Sequence, residues 1–104
     1  MRRGEVWWAD LPAPAGRRPV LILTREAAIP IRAAVTVASI TRTVYGIPVE
    51  VPIDQHDGMS TACVVNCDNL LTVPKTVLQG RICTLSYAKM KAVEQAVKFA
   101  LDLK

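Results

Sequence analysis

Lysine is absent from the first 42 residues, histidine occurs once, and the three cysteines form no CxxC pair. Each shortage closes off a class of function. A zinc site needs four nitrogen or sulfur ligands at characteristic spacing, and Cys63, Cys67, Cys83 and His56 do not supply it. If ACVVNC is a strand, Cys63 and Cys67 stand ~13 Å apart at ~3.3 Å per residue, too far for a disulfide. The three cysteines therefore read as buried free thiols. His56, in the polar stretch DQHDGMS, reads as an exposed loop residue. No apolar run approaches the ~20 residues of a membrane span. The opening MRRGEVWWADLP sets Glu5 and Asp10 where an export signal needs uninterrupted apolar residues, so the expected location is the cytoplasm. There is no internal repeat and no low-complexity segment. A chain of 104 residues is near the commonest domain size, and one domain over 1–104 is expected.

What is present is a globular composition, with 51% hydrophobic and 21% charged residues. The net charge of +4 is unevenly placed: residues 1–42 hold seven arginines against three acids, and the remainder balances six basic residues against six acidic ones. Arginine's planar fork matches phosphate oxygens two at a time, whereas lysine acts mainly as a solvated point charge. This segregation points to an anionic partner, with RNA or DNA first among them.

GEVWWADL reads as an opening strand, and PAPAG breaks it. RPVLILT has the length and composition of a second strand, and REAAIPIR is a turn containing Pro30. AAVTVASIT is a third strand, with Val35, Val37 and Ser39 on one face and Thr36, Ala38 and Ile40 on the other. YGIPVEVPI reads as a fourth strand with an edge-type proline. TACVVNCDNLLTV holds one or two strands, PKTVL a helical turn begun by Pro74, and GRICTLS a last strand. From Ser86, a plausible N-cap, Met90, Val93, Val97, Ala100 and Leu101 recur at helical spacing. The expected class is mainly β with a C-terminal helix: a small curved antiparallel sheet, or partial barrel, with the helix packed on it.

In this order, RRGEVWWADLP, GRRPVLILT, VTVASITR, the Asp68–Asn69 pair and AVEQAVKFALDL resemble the MazF/PemK family of toxin ribonucleases over essentially the whole chain. The resemblance implies an SH3-like partial barrel of the CcdB/MazF type and a homodimer. It also implies metal-independent, cofactor-free cutting of single-stranded RNA at short preferred sequences, and restraint by a small MazE-like antitoxin. The family's catalytic arginine precedes the proline of the second strand, here Arg18, and its catalytic threonine ends the third strand, here Thr41. Arg17, Arg42, Glu26, Asp68 and Asn69 are expected around the substrate. Arg17 stays open between RNA contact and a solvated role. Many members carry Gly-Ser-Glu-Gln between the first two strands, and the glutamate there often assists the site. This chain has only PAPAG, like a minority of short-loop, mycobacterial-type members, so no residue is assigned to proton transfer. Asp10, Glu26 and Asp68 are the carboxylates in view, each with a simpler reading as a cap, turn or ion-pair residue.

Trp7 and Trp8 must point to opposite faces of a strand, one into the core and the other toward a base or an interface. Two rival functions share these features. One is a gyrase poison of the same fold, which the ending LDLK disfavours because CcdB-like proteins end in a Trp-Gly-Ile type tail. The other is an RNA-binding module without chemistry.

Overall fold

A computed structural model describes residues 1–104, in the order β1 (Glu5–Asp10), β2 (Arg17–Ile22), β3 (Ala34–Thr41), β4 (Glu50–Ile53), β5 (Cys63–Pro74), β6 (Leu78–Thr84) and α1 (Tyr87–Leu101). Short 3-10 turns occur at Glu26–Ala28, Gln55–Asp57 and Lys75–Val77. The strands form one antiparallel sheet in the order β4-β5-β3-β2-β1-β6. β4 is an edge, which lets Pro52 occupy it without breaking a ladder on both sides.

The sheet buries both faces, and strict alternation along the strands decides which residue goes where. Leu21, Ala38 and Ile40 join Val6, Val65 and Cys67 beneath the helix residues Met90, Val93 and Ala96. Their neighbours Val20, Ile22, Val35 and Val37 join Ala9, Ile29, Val73 and Leu78 in a second cluster on the other side. The two faces expected for the third strand are both present, and both are core. Helix α1 begins at Ser86, whose hydroxyl accepts the Lys89 amide. Ala96 takes an inward place that the expected stripe did not give it. The stripe is thereby rotated away from Leu101, which is exposed.

Two other expectations are revised and a third is narrowed. The fourth strand is only Glu50–Ile53, because Tyr45 and Gly46 donate their backbone N–H groups to the Glu50 carboxylate and form a turn in place of a ladder. The polar loop around His56 is a capped 3-10 turn, in which Asp54 and Asp57 exchange hydrogen bonds with each other's ends. The His56 amide holds the Asp54 carboxyl below its ordinary range. The region 61–73 resolves as one strand, β5, interrupted by a bulge. Ser39 pairs with Asn66 while the adjacent Ala38 pairs with Leu70, which leaves Cys67, Asp68 and Asn69 unpaired opposite β3. The extra residues reverse the side-chain alternation, so Val65 faces the helix while Leu71 and Val73 serve the second cluster.

Glu5 opens β1 with a side chain that is almost wholly buried. It accepts the Arg2 amide at 2.8 Å and the Trp7 indole at 3.0 Å, and Arg81 lies 3.5 Å away. Burial opposes its charge, but these donors outweigh burial and hold its carboxyl below the usual glutamate value. A depressed folded-state pKa stabilises the fold above the unfolded-state pKa, and that stability is lost as pH falls through the folded-state value. Glu5→Gln keeps an oxygen able to accept both donors but loses the charge that strengthens those bonds and pairs with Arg81, so it is expected to lower unfolding free energy at neutral pH by about 1 kcal/mol. Urea titrations should show the gap from wild type narrowing between neutral and strongly acidic pH.

Candidate active site

Strand β2 starts where the Pro12–Gly16 connection ends, and β3 stops at Thr41, so the two strand ends lie side by side. Val20 pairs with Ser39; carried on by two residues, the same register sets Arg18 opposite Thr41. Directly opposed residues share a face, so the two side chains expected to be catalytic project together. Arg17 pairs with Asp10 and Arg18 with Ala9 without a bulge, so Arg17 lies on the other face, with Trp8.

A groove of about 710 Å³ runs past these strand ends, bordered by Arg17, Arg18, Thr41 and Arg42, by Trp8 and by the Gly58–Thr61 segment. Such a volume lies within the ordinary range of ligand sites, about 300–1,000 Å³.

The chemistry available follows from how each group is held. The Arg18 Nε–H donates to the Ala15 carbonyl at 3.0 Å, and no carboxylate lies within ion-pair distance of its guanidinium. One of its five N–H groups therefore fixes the fork, and the Nη donors stay available to an anion. The short PAPAG connection supplies that tether. The Thr41 hydroxyl oxygen accepts the Thr43 amide at 3.1 Å, which leaves its proton free to donate. Arg42 follows in an exposed bend, also without an acidic partner. Arg17 stands over the Trp8 ring at 4.9 Å, with Asp10 3.9 Å from its Nη1. Trp7 takes the other face and packs on the second cluster.

The remaining expected site residues lie elsewhere. Glu26 receives the Arg3 amide at 2.7 Å and pairs with Arg2 at 3.7 Å, so it ties down the N-terminus. Asp68 and Asn69 sit exposed in the β5 bulge, where the Asp68 amide donates to Asn66. None of the three borders the groove. His56, with a side chain 96% exposed, is also outside it and pairs only with Asp54. No histidine or carboxylate belongs to the groove lining, and Asp10 reaches it only through Arg17.

Cys63 does border the groove, but burial pushes its thiol pKa up and nearby Arg42 offsets this only in part. Burial takes Cys67 up to about 11. All three cysteines are free, as expected, and are thiols at neutral pH, which makes them poor nucleophiles. The Gly58–Thr61 wall was missed in the sequence; its one signal was a glycine following an acid in a polar loop.

Comparison with known proteins agrees with this fold. A family model described as PemK-like, MazF-like toxin of type II toxin-antitoxin system matches residues 2–101. The chain is 39% identical over 101 residues to the probable endoribonuclease MazF5 of Mycobacterium tuberculosis, covering 96% of this chain and 92% of that protein. Its fold superposes on the Mycobacterium tuberculosis toxin MazF-mt6 with a TM-score of 0.89 at 41% identity, covering 96% of this chain and 98% of the other. An endoribonuclease from a mycobacterial species, solved in complex with its cognate antitoxin, superposes with a TM-score of 0.90 at 31% identity, over 100% of this chain and 97% of the other. With a family model matched over residues 2–101 and relatives 39% and 41% identical across nearly the whole chain, the chain belongs to the PemK/MazF family of type II toxins.

Proposed function

We propose that this protein is a metal-independent endoribonuclease that cuts single-stranded RNA at preferred sites and so halts translation and growth. The observation that carries this reading is that Arg18 and Thr41 border one groove, Arg18 held through its Nε and Thr41 through its hydroxyl oxygen, each with donors to spare. The 2′-hydroxyl of the substrate attacks the adjacent phosphorus, the bond from phosphorus to the 5′-oxygen breaks, and a 2′,3′-cyclic phosphate and a 5′-hydroxyl result. The 2′-proton must leave, and a proton must reach the departing 5′-oxygen. Arg18 and Thr41 supply hydrogen bonds to the phosphoryl oxygens as charge builds on them, which is the kind of preorganised stabilisation that contributes most to such reactions. Arg42, unpaired and adjacent, holds a neighbouring phosphate.

The protein acts in the cytoplasm as a homodimer, restrained by an antitoxin whose acidic segment covers the arginine-rich groove. Exposed Val44, Tyr45, Phe99 and Leu103 offer apolar surface to these partners, and the mycobacterial relative solved with its cognate antitoxin supports the pairing. No helix is long and apolar enough to cross a membrane.

The test is incubation of a long end-labelled RNA with the protein in EDTA. Discrete fragments ending in cyclic phosphate are expected. Intact RNA, with the protein folded and bound to it, would leave an RNA-binding module; a folded protein that neither cuts nor binds RNA would point to the gyrase-type poison.

A further inference from the structure

Trp8 is an unusual residue to find beside an anion site. Its strand-mate Trp7 is accounted for by packing and by the hydrogen bond to Glu5. Trp8 belongs to neither hydrophobic cluster; it borders the groove, and its ring is covered by the Arg17 guanidinium. Pro19 lies directly opposite it across the β1–β2 ladder, one residue from Arg18. The cation over the ring is itself half exposed, and its one acidic neighbour, Asp10, stands 3.9 Å away and half exposed, so solvent is at hand to replace both contacts when it swings aside. Ser60 and Thr61 border the same groove and carry hydroxyls that can donate or accept a hydrogen bond.

We propose that Trp8 is the floor of a nucleobase subsite. A base next to the scissile phosphate stacks on the indole in the place the Arg17 guanidinium holds in the free protein, and Arg17 turns to the backbone. This rests on the single-stranded RNA reading of the groove. An exposed cation over an aromatic ring is held less firmly than a stacked base, so the exchange favours the nucleic acid. The alternation of the strand makes the division of labour possible. Arg18 and Thr41 take the phosphate on one face of the strand ends, and Trp8 takes the base on the other. Stacking tolerates any base, so hydrogen bonds to the base edge, from hydroxyls such as those of Ser60 and Thr61, supply the preference.

The test compares two probes that 2′-hydroxyl attack cannot cut: a mixed-sequence 2′-deoxy 12-mer and a 12-unit sugar–phosphate strand wholly lacking bases. Both are titrated by anisotropy against wild type, Trp8→Leu and Trp8→Phe. Trp8→Leu should weaken the 12-mer about tenfold or more and leave the baseless strand unchanged, and Trp8→Phe should restore most of the loss. Binding of the 12-mer should quench tryptophan emission in wild type and much less in Trp8→Phe, which keeps only Trp7. Equal weakening of both probes would mean that Trp8 merely supports the groove, and unchanged binding of the 12-mer by Trp8→Leu would remove it from the site; either overturns the subsite and leaves RNA binding standing. A folded wild type that binds neither probe would overturn both readings.

Discussion

Arg18→Ala is expected to slow RNA cleavage about 10²–10³-fold while leaving RNA affinity within a few-fold of wild type, the size of effect seen when one preorganised donor to a developing anion is removed. The structure gives the reason for the large figure. The guanidinium is tied through Nε to Ala15, held at the strand end by Pro19, and has no carboxylate to desert, so it needs little reorganisation to meet the charge of the transition state. Arg18→Lys should recover little of the rate, because an ammonium lacks the fork that reaches the backbone carbonyl and the phosphate together. Arg42→Ala should behave differently: weaker binding across all sequences and a salt slope reduced by about one, with the rate on bound RNA largely kept. Single-turnover rates at saturating protein, read beside equilibrium binding at several salt concentrations, separate the two. If Arg18→Ala lost affinity and salt slope as Arg42→Ala does, Arg18 would be a phosphate contact and the electrostatic role would fall.

Gly58→Ala is expected to destabilise the fold by about 2–5 kcal/mol, the sum of two penalties that act at one atom. Gly58 closes the 3-10 turn with φ at 105°, a conformation that L side chains rarely adopt. A Cβ built there would stand 2.6 Å from the Cβ of Cys83, an atom fixed to the β6 backbone that cannot step aside. The next residue, Met59, lies with its sulfur 3.7 Å from the Cys83 sulfur, and both Gly58 and Met59 border the groove. The same substitution should therefore disturb RNA binding in whatever fraction stays folded. Cys83→Gly, combined with Gly58→Ala, should return the steric part and leave the conformational part. A double-mutant cycle in urea would show a coupling of about 1 kcal/mol or more. Additive losses would show that the turn moves freely and that the contact is not shared.

How far the site could be read from the chain depends on which forces are local. The RRPVLI strand, the VTVASIT strand and the terminal helix announce themselves by apolar run, alternation and helical period, and each appears within a residue or two of its expected place. Arg18 and Thr41 were marked by the resemblance to the MazF/PemK family, whose motif places them before Pro19 and at the end of β3. Regular alternation also fixed that Arg17 and Arg18 point apart. Other features escaped because they depend on partners distant in sequence. Nothing in CVVNCDNLLTV tells that three residues will stand unpaired opposite β3, since a bulge is defined by the strand it faces. Glu26 was expected around the substrate, and the contacts it makes with the N-terminal arginines, 23 residues away for Arg3, left no local trace. YGIP looked like strand until Glu50 drew the Tyr45 and Gly46 amides to its carboxylate.

The sequence by itself determined a basic, arginine-led N-terminal half and a mainly β chain closed by a helix, and it pointed to three unpaired thiols. Periodicity, composition and short motifs are local properties, so they survive in a string of letters. Only the tertiary structure decided that Arg18 and Thr41 border one groove, that the loop 58–61 walls it while His56 stays outside, and that Trp8 lines it under the Arg17 guanidinium. Those facts are set by register between strands and by the packing of segments far apart in the chain, quantities that no single stretch of sequence contains.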